Sequence, residues 1–190
     1  MISGIQCETD TAKAHTLDAE FMVEMEIFGL TTSTRTASAY ALILIEAGGS
    51  RRLPIIIGAY EAQAIALEME QIKPPRPMTH DLTMQIITDL GGQIEHVVVH
   101  HLKEGTYYAN ISIKGPISNH EVDARPSDAI ALAVRFTCPI YVDELVLEEA
   151  GVEHEEKPAE VGHMNPTKKP HTRSTEEKKS PLELLHEQLQ

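Results

Sequence analysis

Two β-rich runs, AYALILIE at 39–46 and RLPIIIGAY at 52–60, are separated only by a short turn built on Gly48 and Gly49. Strands joined that tightly run antiparallel, because a parallel return needs a crossover of a dozen residues or more. Pro54 lacks the N–H that a ladder requires, which places it at an edge or at the first position of its strand. The preceding segment DAEFMVEMEIFG, 18–29, alternates apolar and acidic residues as a half-buried strand does. Three strands therefore precede any helix.

Helical signals follow. EAQAIALEMEQI, 61–72, is rich in strong helix formers, and Ile65, Met69 and Ile72 share a stripe bordered by Glu61 and Glu68. KPPRP stops that helix, Thr79 caps a second one, and Gly91-Gly92 ends it after Leu82, Ile86 and Leu90 have marked an apolar spacing. QIEHVVVHHL and TYYANISIKG, parted by KEG, predict another hairpin, and HEVDA predicts a short strand. Pro126 suits the first turn of a helix over RPSDAIALAVRF, and PIYV and DELVLEEAG close the domain as a short strand and helix. Runs of antiparallel strands set beside helices indicate an α+β fold, with a largely antiparallel or mixed sheet and packed helices.

The expected organisation is an N-terminal extension over 1–17, one domain over 18–152, a flexible linker over 153–180 and an amphipathic helix over 181–190. The linker reading rests on Glu, Lys, Pro, His and Thr without apolar periodicity. PLELLHEQLQ is too short to hold a helix alone in water, so it suits partner packing or an oligomer contact. AIAL occurs at both 64–67 and 129–132, a pattern that internal or partner packing explains.

Charge narrows the function. The chain carries 29 acidic and 16 basic residues for a net of −13, and residues 1–150 alone hold 21 and 10, a net of −11. That argues against a broad phosphate-binding surface, since nonspecific nucleic-acid affinity comes from Lys and Arg. A carboxylate site holding divalent cations can still reach phosphate through the metal, with local Arg in support. Cys7 and Cys138 are the two cysteines, read as free thiols, and the chain opens on MISGIQCETD with no charged leader or apolar span, so a cytoplasmic location without membrane contact is expected.

The densest polar constellation is HEVDARPSDAIALAVR. Asp123 and Arg125 are two apart on an extended segment and share a side, and Asp128 falls in the first helical turn, where a carboxylate is favoured. Asp123 or Asp128 could position a divalent ion while Arg125 holds a phosphate; alternatively Asp128 steadies the helix and Arg125 pairs with Asp123. Glu61 and Glu68 lie about 10 Å apart along one helix and cannot share an ion without a third element between them. His80 could serve as a base beside Asp81, or the pair could form an ordinary polar first turn. Tyr107 could stack on a base or simply pack in the sheet, and Arg51 and Arg52 could meet phosphate or sit at a solvated hairpin tip. No zinc-binding, phosphate-loop or dinucleotide pattern is present.

LPIIIGAYEAQAIALEME, RPMTHDLTMQIITDLGG, GTYYANISIK and VDARPSDAIALAVRFTCPIYVDELVLEEAG occur here in the order found in the bifunctional nuclease domain, and over about residues 18–152 the chain resembles that family. The resemblance implies an α+β domain, activity on RNA and DNA, and self-association. It directs attention to Glu61 and Glu68, to the THDL segment with Thr79, His80 and Asp81, and to the DARPSDA segment with Asp123, Arg125, Pro126, Ser127 and Asp128. It implies catalysis by Asp123, Asp128, His80 and Asp81, substrate contacts from Arg125, and Mg²⁺ or Mn²⁺ held by acidic residues among Asp123, Asp128, Glu61 and Glu68, these preferring oxygen ligands. A non-catalytic oligomeric or regulatory domain is the alternative. SPLELLHEQLQ resembles the start of a UVR-like helical hairpin, which would bind a protein partner.

Overall fold

The computed structural model describes residues 21–32 and 39–153. The expected extension over 1–17 and the terminal helix over 181–190 lie outside these residues, as does the linker apart from Glu153. The strands are β1 (Met22–Thr32), β2 (Ala39–Glu46), β3 (Arg51–Gly58), β4 (Gln93–Lys103), β5 (Thr106–Lys114), β6 (Asn119–Ala124), β7 (Ile140–Asp143) and β8 (Val152–Glu153). The helices are α1 (Ala59–Met69), α2 (Thr79–Asp89), α3 (Pro126–Phe136) and α4 (Glu144–Ala150).

All eight strands form one sheet in the order β6-β5-β4-β7-β1-β2-β3-β8. The two hairpins read from the sequence are its building blocks: β2 pairs antiparallel with β3, and β4 with β5. A parallel pairing of β4 with β7 places the closing strand between the two halves. β7 also pairs antiparallel with β1, so four residues of chain, Ile140–Asp143, join the hairpins into a continuous sheet. Pro54 sits inside β3 opposite Ile43, where β8 pairs only with Arg51 and Arg52. At Pro54 the far side of β3 carries no ladder, so the missing N–H costs nothing.

Apolar alternation gives the sheet its core face: Leu42 and Leu44 stand opposite Ile55 and Leu53, and all four are buried. Val97, Val98 and Val99 are buried in succession, as expected of a central strand covered on both sides. α3 packs against β4, β5, α1 and α2. Both AIAL segments lie on the mutually packed helices α1 and α3, where small alanines allow close approach. Their repetition therefore serves internal packing.

The helical stripes differ from expectation in one respect. Ile65 is buried, but Met69 and Ile72 are exposed at the end of α1. On α2, Leu82, Ile86 and Leu90 are exposed, and it is Met84 and Ile87 that pack on the core. The two stripes lie on different faces of the same short helix, and the one carrying Met84 and Ile87 is turned to the core.

Arg135 binds three helices together. Its side chain is 3% exposed, and its guanidinium donates to Asp81 Oδ1 on α2 at 2.6 Å, to the Ala64 carbonyl on α1 at 3.2 Å and to the Ala131 carbonyl of its own helix at 2.8 Å. Removing one partner of a buried pair leaves the other charge uncompensated and costs roughly 3–5 kcal/mol. Asp81→Ala, which strands the 3%-exposed Arg135, is therefore expected to lower the unfolding free energy by about that amount, read by urea denaturation. Asp81→Ala in the Arg135→Ala background should cost much less than in the wild type, and strict additivity of the two would contradict the clamp.

Candidate functional site

The clamp carries a second rung. α2 places His80 beside Asp81, and α3 places Asp128 two turns before Arg135 on the same face. With Asp81 tied to Arg135, His80 Nε2 comes to 3.1 Å from Asp128 Oδ1. Arg125, the residue preceding α3, grips the same carboxylate through Nε at 2.7 Å and Nη2 at 3.1 Å. Its Nη1 lies 3.1 Å from Glu61 Oε1 on α1. His80, Asp128, Arg125 and Glu61 thus form one continuous polar chain across three helices.

Burial works to raise the Asp128 carboxyl, but hydrogen bonds from Arg125 and His80 and the Arg125 charge overturn it and hold the group below its usual value. An ionised carboxylate only accepts, so the network assigns the Nε2 proton to His80 and leaves Nδ1 as the ring's acceptor. Asp81 shows the same balance. Burial raises it, while Arg135, the Met78 N–H at 2.8 Å and nearby His80 together bring it lower. Both oxygens of Asp81 are engaged, one on Arg135 and the other capping α2.

The remaining residues singled out by sequence are dispersed. Asp123 is exposed on β6, opposite Asn110, and Arg125 turns to Asp128 and Glu61 instead of to it. Glu68 lines a separate groove with Glu24 and Glu26. Arg51 donates to Glu46 and Glu144, fastening the β2–β3 turn to α4. Those contacts push its guanidinium further toward the charged form. Arg52 lies over the Phe28 ring at 4.0 Å. Tyr107 donates to the Pro54 carbonyl at 3.3 Å and lines a cleft shared with Glu61 and Arg125. Cys138 is a free thiol that burial pushes up to about 11, which leaves it a poor nucleophile.

The expected metal set is not assembled. Among the described residues no group of three or more His, Cys, Asp and Glu side chains is placed to hold an ion. Glu61 and Asp128 do approach one another, but the cation between them is the Arg125 guanidinium. The Glu61–Arg125 link is not legible in the chain, because nothing in the spacing of residues 61 and 125 reports that the starts of α1 and α3 meet.

A mixed α+β sheet carrying a histidine–carboxylate–arginine cluster on the α2–α3 face defines the class of domain. The chain belongs to the bifunctional nuclease domain family, whose model matches residues 42–155. It is similar to an uncharacterized protein of Mycobacterium tuberculosis strain H37Rv, 50% identical over 111 residues that cover 58% of this chain and 66% of that protein. It is also similar to bifunctional nuclease 1 of Oryza sativa subsp. japonica, 26% identical over 122 residues, 62% of this chain and 37% of the rice protein. The chain therefore spans just under two thirds of the mycobacterial relative and little more than a third of the plant one.

The pH response of the fold follows from Asp81 and Asp128. Both carboxyls are lowered in the folded state, so the stability they contribute is fully present above the unfolded aspartate value of about 3.9 and is lost as pH falls through the folded values. Urea unfolding free energy should fall progressively below about pH 4, and Asp81→Asn should flatten that fall. An unchanged acid limb in the variant would remove Asp81 as a contributor.

Proposed function

We propose that this chain is a nuclease that hydrolyses phosphodiester bonds in RNA or DNA at the α2–α3 cluster. The observation that carries the reading is His80 held 3.1 Å from an ionised Asp128 that Arg125 also grips, in a member of this family. Asp128 orients the imidazole, and His80 accepts a proton at Nδ1 from the attacking water. Arg125 faces solvent and retains two uncommitted N–H groups, which suits it to a phosphate oxygen as negative charge builds. The leaving oxygen takes its proton from solvent.

Asp81 acts in this proposal by positioning His80. Tyr107 borders the substrate path, while Arg51 and Arg52 serve the hairpin they occupy. Asp123 and Glu68 carry no step. Mg²⁺ or Mn²⁺ assistance rests on the family resemblance alone, and no step is routed through it. No helix among the described residues is long and apolar enough to cross a membrane.

A second reading, a non-catalytic oligomeric domain, is favoured by the exposed face of α2. None of its residues is buried, and Leu82, Ile86 and Leu90 stand in solvent, Leu90 at 74% exposure. Self-association through this face is compatible with catalysis elsewhere on the domain.

Two measurements separate the readings. Time-resolved cleavage of matched single-stranded RNA and DNA should fall about 10²–10⁴-fold on His80→Ala or Asp128→Asn, with thermal unfolding confirming that both variants fold. Equal cleavage by wild type and variants would remove the cluster from the mechanism, and loss of cleavage in EDTA would show that a cation joins it. Leu82→Glu with Ile86→Glu should reduce the mass seen by light scattering. An unaltered mass would place any self-association on another surface.

A further inference from the structure

A cleft of about 270 Å³ opens between the end of β3, the β4–β5 turn and the start of α3. The first turns of α1 and α3 both border it, through Gly58 and Glu61 and through Arg125 to Ser127, and neither helix has a side-chain cap. Helix starts present unpaired N–H groups and a partial positive charge. Pro126 has no N–H, and the N–H groups of Asp128 and Ala129 both reach the Arg125 carbonyl. Ser127 N–H is left without a partner among the described residues.

The Ser127 side chain supplies an independent observation. The residue is 7% exposed, lines the cleft, and its hydroxyl has no partner among the described residues. Only Arg52 Nε and His100 Nε2 are both unpartnered and sealed from water there, so the Ser127 hydroxyl keeps its opening, and the cleft is the opening it lines. A buried hydroxyl left without a protein partner is costly unless something else satisfies it. Ser127 thus offers two donors from one position.

Arg125 adds to them. Three of its five N–H groups go to Asp128 and Glu61, and the side chain is 66% exposed. Glu61 is the one carboxylate lining the cleft, and Arg125 engages its Oε1. Its Oε2 folds back over Gly58, where an added Cβ would lie 2.3 Å away. The Arg125 guanidinium offsets the Glu61 carboxylate, and the Ser127 N–H and hydroxyl with the two remaining Arg125 N–H groups are left to meet an anion. The volume equals roughly nine waters, enough for a phosphate with its sugar and too small for a duplex.

We propose that this cleft is a phosphate-binding subsite that takes a phosphate group of a single-stranded nucleic acid through the Ser127 N–H and hydroxyl and the free edge of Arg125. Placement beside the His80–Asp128 pair rests on the nuclease reading, whereas the anion specificity does not. Ser127 lies in the DARPSDA segment, where neither composition nor helix patterning gave it a role.

Amide NMR of the full chain tests this with three probes: inorganic phosphate, adenosine 5′-monophosphate and adenosine. None contains a phosphodiester, so binding is read whether or not the chain cleaves. Saturable shifts at Ser127 are expected with phosphate and with the nucleotide, and none with the nucleoside. Ser127→Ala should weaken nucleotide binding roughly ten- to hundredfold, and Arg125→Gln, at an exposed position, gives an independent second reading. No saturable response at Ser127, or wild-type affinity in both variants, would overturn the subsite. A response to adenosine would make it a sugar site, and a response to phosphate without the nucleotide would overturn its assignment to a strand. Cleavage of oligonucleotides without these shifts would remove the subsite and leave the nuclease reading standing; shifts without cleavage would do the reverse.

Discussion

A buried guanidinium holds this domain's helices in register. Arg135 has almost no access to water, and its donors are shared among a carboxylate on α2, a carbonyl on α1 and a carbonyl on α3. Such a group is tolerated only when its hydrogen bonds are met, so the three helices must approach at fixed distances and angles. α2 depends on this most, since it buries no residue of its own and contributes only Met84 and Ile87 to the edge of the core. Without Asp81 on Arg135, little would hold α2 against α3.

The candidate site inherits that geometry. His80 reaches Asp128 because its neighbour Asp81 is pinned, and Arg125 reaches Glu61 because the starts of α1 and α3 converge. Charge inside the cluster is locally compensated, with each first-turn carboxylate set against the positive end of its own helix. This reconciles an acidic chain with a proposed phosphate site: the relevant field comes from Arg125 and oriented backbone N–H groups within a few ångströms. A net charge of −13 acts over the whole surface and is screened by salt at longer range.

Much of the architecture was legible in the chain. Gly48-Gly49 and Glu104-Gly105 marked both hairpins, Pro126 marked the start of α3, and the strand and helix limits fall within a few residues of expectation. Less legible was which side of each short helix faces inward. Leu82, Ile86 and Leu90 repeat at a perfect helical interval yet point outward, since periodicity identifies a face without saying what covers it. The two-residue strand β8 and the placement of β7 between the hairpins also escaped, being too short to carry a pattern.

By itself, the sequence determined the fold class, the two hairpins, the family and the two segments, THDL and DARPSDA, that carry the candidate site, because turn chemistry and apolar period are local properties. Tertiary structure alone decided which of their polar residues meet. It separated Asp123 and Glu68 from the cluster, paired Asp81 with Arg135 and Arg51 with Glu144, linked Arg125 to Glu61 and opened a cleft at Ser127. These outcomes depend on contacts between residues 48 to 93 positions apart, and no local pattern in the chain encodes the distance between such pairs.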